Sequence, residues 1–284
     1  MKRLLSTHLF LSQRLTSALL ADIAAAGFEG VEIFCDRMHF DYQDAQWVRH
    51  VAAWFGDHGL QVHSLHAPTS RDKSPTRQGG TPISISDPER VRRLDAVDEV
   101  KRAIEVAEQI PCRYLVQHLG AAREAADPRR FDAAFNSLEH LTVFARQRGL
   151  TIAIENTPGG LGSPGMLRQF IADTHLNALR LCFDVGHAHM EDGVERSLEK
   201  MRDLVVTAHV HDNHGEKDDH LLPYAGSIDW NLALTELASA PSAPDGVALV
   251  LELKEAAGQT PNLREALAVY DKFEQARSKA AGKS

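Results

Sequence analysis

Cysteine is scarce in this chain. Cys35, Cys112 and Cys182 are odd in number, far apart and set in or beside apolar runs. Such a set does not read as a disulfide framework, and the expectation is buried, reduced thiols in a cytoplasmic protein. Long apolar runs are missing too: no stretch approaches the ~18 consecutive apolar residues of a membrane span. The opening MKRLLSTHLFLSQ has neither the apolar core nor the cleavage site of a signal peptide and reads as a first strand. Positive charge is in deficit, with 31 Lys and Arg against 39 Asp and Glu and a formal net charge of −8. No global field therefore attracts nucleic acid or anionic membrane, and neither is expected as a partner. Linkers, low-complexity blocks and composition shifts are absent, as is the glycine-rich first turn of a dinucleotide-binding sheet.

What is there alternates. β-rich runs occupy 4–10, 30–35, 60–66, 114–119, 150–156, 179–185, 205–212 and 247–254. Each precedes a pattern that predicts an amphipathic helix, near 16–26, 43–58, 88–109, 128–148, 164–175, 192–203, 229–239 and 262–277. Asp87-Pro88 and Asp127-Pro128 each offer an N-cap followed by proline, and Gly27, Gly59 and Gly149 stand where helices should stop. Eight strand–helix units predict an α/β fold, a single-domain (β/α)8 TIM barrel over residues 1–277, with a disordered tail at 278–284. The irregular stretch 67–86 follows the third strand and is expected on the active-site face, as a lid.

Chemistry in such a barrel gathers at the C-terminal ends of the strands. Those ends carry His66, His118, Glu155 with Asn156, Asp184, His209 with His211, and Glu252 with Lys254; His8 lies at the end of the first. Strand alternation turns Glu155, Asp184, His209 and Glu252 inward with small or polar neighbours, while Ile152, Ile154, Phe183, Leu249 and Leu251 turn outward. His66 and His118 share the inward parity, which leaves His63 pointing outward as a structural histidine. A single strand-end histidine or carboxylate is more often a satisfied core group, a helix cap or an ion-pair partner. Three carboxylates converging with a histidine are different, because burying like charges is costly unless a cation neutralises them. Glu155, Asp184, His209 and Glu252 are therefore read as a divalent-metal site, and their donors suit Mn2+, Zn2+, Co2+ or Mg2+. His187, across a tight turn from Asp184, and the Asp218/His220 pair offer ligands for more than one ion. His187, His211 and Lys254 are candidates for substrate contact.

The segments IAIENTP (152–158), FDVGHAH (183–189), HVHDN…DDHLLPYAGSIDW (209–230) and LELK (251–254) resemble the xylose isomerase-like TIM barrel superfamily, over about residues 3–275. The superfamily includes sugar isomerases and epimerases, inosose dehydratases and endonuclease IV-type enzymes that act on abasic DNA. The resemblance implies a shared metal site on Glu155, Asp184, His209 and Glu252. In the ketose epimerases the two glutamates also serve as acid and base on opposite faces of the sugar, and the residue matching His187 binds substrate. Where those epimerases carry a further substrate-binding glutamate and an arginine, this chain has Leu161 and Gly215. The endonuclease IV comparison implies a trinuclear zinc cluster, which would add His66, His118, His187, Asp218 and His220 to the ligands. The wedge those enzymes insert into DNA is replaced here by Ala67-Pro68-Thr69-Ser70.

Together these features predict a metal-dependent isomerase or epimerase acting on a sugar, sugar phosphate or polyol by glutamate acid/base proton transfer. Endonuclease IV-like phosphodiester hydrolysis, or a dehydratase or lyase of the same superfamily, is the alternative. Barrels of this type often pair, so a homo-oligomer is expected.

Overall fold

Every expected strand forms, each shorter than its apolar run: β1 (Leu4–Ser6), β2 (Gly30–Phe34), β3 (Gln61–His66), β4 (Tyr114–His118), β5 (Thr151–Glu155), β6 (Arg180–Asp184), β7 (Val205–Val210) and β8 (Ala248–Leu251). They pair in parallel in chain order, and β8 closes on β1 with Leu4 opposite Val250. This computed structural model describes residues 1–71, 80–121, 124–242, 246–255 and 262–281. Outside the strands run α1 (Ser17–Ala26), α2 (Ala45–Asp57), α3 (Arg90–Glu105), α4 (Pro128–Arg146), α5 (Pro164–Thr174), α6 (Val185–Met190), α7 (Val194–Met201), α8 (Trp230–Ala238) and α9 (Leu263–Ala281). The arrangement is a (β/α)8 TIM barrel. Among the described residues no helix is long and apolar enough to cross a membrane, and all three cysteines are unpaired.

The outward strand residues Ile152, Ile154, Phe183, Leu249 and Leu251 pack with the helices in one continuous core. Inside the barrel, Tyr114, Val116, Ala153, Cys182 and Val206 form a separate small cluster. Expected parity therefore holds on β5, β6 and β8: Ala153 and Cys182 face the interior, their apolar neighbours face the helices, and the polar strand ends lie above.

Some local expectations change. Asp127 caps α4 with proline at the first position, but α3 starts two residues past Pro88, with Glu89 at its N-cap; Asp87 instead accepts from the Glu89 amide. Gly27 ends α1 in the left-handed region, whereas α2 ends at His58 in extended backbone, before Gly59. The turn expected after Asp184 is the short helix α6, with Asp184 as its cap. The last helix continues to Ala281, through part of the expected tail; residues 282–284 lie outside the described residues. Within the expected lid, Arg71 donates to Thr81 and Ile83 to Thr69 across a two-armed loop, and 72–79 lie outside the described residues.

His63 does not point outward. Pairing between β2 and β3 skips it, Val31 matching Val62 and Glu32 matching Ser64. This bulge places an extra residue on β3 and turns His63 into the barrel, where its Nε2 meets Thr207 Oγ1 at 3.1 Å.

Candidate metal and active site

Four strand ends converge at the barrel mouth. Glu155 closes β5, Asp184 closes β6, His209 lies on β7 and Glu252 directly follows β8. All four are buried, and each offers one ligand atom within 4.8 Å of the others. His209 Nδ1 is the hub, 3.3 Å from Glu155 Oε1, 3.2 Å from Glu252 Oε2 and 3.9 Å from Asp184 Oδ2.

That nitrogen tests whether a metal fits. It is buried and makes no hydrogen bond, although three carboxylate oxygens surround it. His209 Nε2 is committed elsewhere, 3.1 Å from Glu32 Oε1. A neutral ring so held turns a lone pair toward three anions, an arrangement that a cation converts from repulsion to coordination. Three carboxylates and one imidazole form a donor set suited to a divalent ion, so the residues fit a metal.

A second ring of side chains surrounds the cluster. His66, His187 and His220 each present Nδ1 to a backbone carbonyl, of Ala67 at 2.8 Å, Asn156 at 2.9 Å and Glu252 at 2.8 Å. A carbonyl only accepts, so each Nδ1 carries hydrogen and each Nε2 faces inward. His66 Nε2 and His118 Nε2 both lie 3.1 Å from Glu155 Oε2. His187 Nε2 and His220 Nε2 share Asp218 Oδ2 at 3.3 and 3.0 Å. Burial opposes charge on His187, but Asp184, Asp218 and Glu155 outweigh it and hold the imidazole well above its usual range. In His220 burial is likewise outweighed by Asp218, Glu252 and Asp184, so the ring is raised to about 9. Burial would raise Glu155 and Glu252, but with His209 protonated its positive charge, in the place a metal ion would take, holds both well below the usual carboxylate range.

The loop after β7 is anchored by Asp212, whose carboxylate accepts from the Tyr224 and Ile228 amides and from Trp230 Nε1. This buried anion is structural, and it explains how a stretch crowded with polar residues keeps one shape. His220 takes a φ of +49° there, a conformation uncommon for a non-glycine residue that brings its ring over the cluster.

Above the cluster is a cavity of about 520 Å³, lined by His66, His118, Glu155, His187, Asp218, His220 and Glu252, with Phe34, Gln117 and Met190 on its walls. Two substrate-contact candidates do not reach it. His211 is fully buried, with Nε2 3.1 Å from Asp184 Oδ2 and its ring stacked 4.0 Å from His220; it braces Asp184 from behind. Lys254 lies beyond the end of β8 and is exposed; its amide donates to the carbonyl of His220 at 3.3 Å, but it is not among the residues that line the cavity. The cysteines stay out of the chemistry, burial pushing Cys112 and Cys182 up to about 12. The sequence reading missed Glu32, a fully buried carboxylate on β2. Its signal was an acid in mid-strand within the apolar run GVEIF.

The fold and mouth define a closed parallel barrel with an acidic, histidine-rich cluster at the strand ends. The chain belongs to the xylose isomerase-like TIM barrel family, whose model matches residues 20–273. Over 247 residues it is 29% identical to the uncharacterized protein MJ1311 of Methanocaldococcus jannaschii, a match covering 84% of this chain and 79% of that protein. Among solved structures it is similar in fold to a D-tagatose 3-epimerase-like protein, with TM-score 0.80, 22% identity and coverage of 100% of this chain and 99% of that one. It is similarly close to the IolI protein with a bound zinc atom, with TM-score 0.77, 17% identity and coverage of 98% and 99%.

Proposed function

We propose that the protein is a divalent-metal-dependent isomerase or epimerase acting on a sugar, sugar phosphate or polyol. The observation that carries this reading is the double placement of Glu155 and Glu252. Both line the cavity and both face His209 Nδ1. They enter from β5 and from the end of β8, three strands apart around the barrel, so they reach a bound substrate from different sides. The fold similarity to an epimerase-like protein and to zinc-bound IolI supports the same reading.

An ion held by Glu155, Asp184, His209 and Glu252 would supply Lewis-acid polarisation of neighbouring carbonyl and hydroxyl oxygens. One glutamate then takes a proton from carbon while the other returns one. His66 and His118 keep Glu155 oriented through its outer oxygen. His187 lines the cavity and offers substrate contact. Leu161, at the position where epimerases carry a glutamate, is buried away from the lining, so hydroxyl recognition falls to other groups such as Gln117 and His118.

A second reading, zinc-dependent phosphodiester hydrolysis, is favoured by one observation: His187 Nε2 and His220 Nε2 both lie beside Asp218 Oδ2, at 3.3 and 3.0 Å, and the three would serve as ligands for a further ion. A dehydratase using the same proton abstraction would share the first site. The test is incubation with Mn2+ in D2O against ketoses, aldoses and inososes, reading deuterium incorporation at carbon and formation of a second isomer. Exchange with isomer formation is expected. No exchange on any member, with cleavage of an abasic-site duplex, would replace the isomerase reading by the hydrolase one.

A further inference from the structure

Glu32 has no part in the acid/base reading, and its surroundings are unusual for a structural charge. It sits in mid-strand on β2, fully buried. Ser6 Oγ donates to its Oε1 at 3.0 Å and Ser64 Oγ to its Oε2 at 2.8 Å. His209 Nε2 lies 3.1 Å from Oε1 and 3.2 Å from Oε2. A buried carboxylate is costly without a partner, and these bonds come from two hydroxyls and an imidazole rather than from Lys or Arg. A carboxylate only accepts, so Nε2 carries the hydrogen, and in the neutral ring that would bind a metal Nδ1 is then the lone-pair nitrogen. Nδ1 is also the atom directed at Glu155, Asp184 and Glu252.

We propose that Glu32 is the positioning residue of the metal centre, fixing the tautomer and ring plane of His209 so that Nδ1 binds the ion. This rests on the metal reading of the four-residue cluster. Strands β1, β2 and β3 together hold the carboxylate, through Ser6, Glu32 itself and Ser64. The ligand on β7 is thus aimed from across the barrel. A carboxylate behind a ligating imidazole also makes the ring a stronger donor.

The test compares Mn2+ affinity of wild type and Glu32→Gln by chelator competition. The amide keeps the shape and removes the charge, and binding is expected to weaken about 10–100-fold with the circular dichroism unchanged. In a His209→Ala background the same change should alter affinity by less than about twofold, because the two residues act as a unit. A merely structural role would instead give the same loss in both backgrounds. In zinc-loaded wild type, nitrogen NMR should find the proton of His209 on Nε2. If Glu32→Gln does not fold, Ser64→Ala loosens the same carboxylate and is expected to weaken binding several-fold. Unchanged affinity in the variant that folds, or an undiminished loss without His209, overturns the role of Glu32 and leaves the metal site standing. Wild-type protein that takes up no Mn2+ overturns both, and there it is the wild type that fails.

Discussion

His187 Nε2 on α6 and Asp218 Oδ2 on the loop after β7 lie 3.3 Å apart. The pair joins two segments separated by a whole strand–helix unit, and Asp184 stands behind it. Asp184 accepts the His187 amide at 2.6 Å as the cap of α6. One carboxylate thus belongs to the four-residue cluster and also aims a histidine into the cavity. His220 completes the group through the same Asp218 oxygen.

On the hydrolase reading a second ion is expected at His187, Asp218 and His220, and Asp218→Asn should then weaken it at least about tenfold while sparing the four-residue site. Titration calorimetry with Zn2+ on the metal-free protein separates the two events. Identical isotherms for wild type and variant would remove Asp218 from the ligands.

Glu155→Gln and Glu252→Gln should each lower turnover about 10²–10⁴-fold, the range for losing a positioned acid or base. Each carboxylate also faces His209, so metal content is to be measured beside rate. Full activity in either variant would take that glutamate out of the mechanism.

His63 carries a pH prediction for the metal-free protein. Burial is the main cause that lowers its imidazole to about 4 from the usual 6.5. The unfolded chain therefore takes up the proton first as pH falls, and the native state loses stability between pH 6.5 and about 4, with nothing further from this group below that. The loss approaches about 3 kcal/mol. Urea denaturation of metal-free wild type and His63→Gln at pH 7 and pH 4.5 reads it. The variant should gain on wild type at the lower pH, and parallel curves would refute the assignment.

Gly186→Ala should cost about 1–3 kcal/mol by overpacking. A Cβ there would clash with His211 Cε1, so the ring that braces Asp184 must move. Adding His211→Ala should recover part of the lost melting temperature. An unshifted single variant would show that the ring yields freely.

Most of the barrel was legible because side-chain direction on a strand follows a period of two. Small or polar residues at 151, 153 and 155 against Ile152 and Ile154 marked both the strand and its inner face. The same rule failed at His63, because a bulge inserts one residue and reverses direction without any mark in the local sequence. Glu32 was hidden for another reason: one acid in an apolar run reads as an interruption until its partners on β1, β3 and β7 are known.

The sequence by itself determined the alternation of strands and helices, hence the barrel, and placed Glu155, Asp184, His209 and Glu252 at one end of it, because local periodicity and strand-end position are properties of short segments. Only the tertiary structure decided that His211 lies behind Asp184, that Lys254 stays outside, that Asp212 serves the loop and that Glu32 serves His209. Those roles depend on distances between segments far apart in the chain, and closure of the barrel sets them.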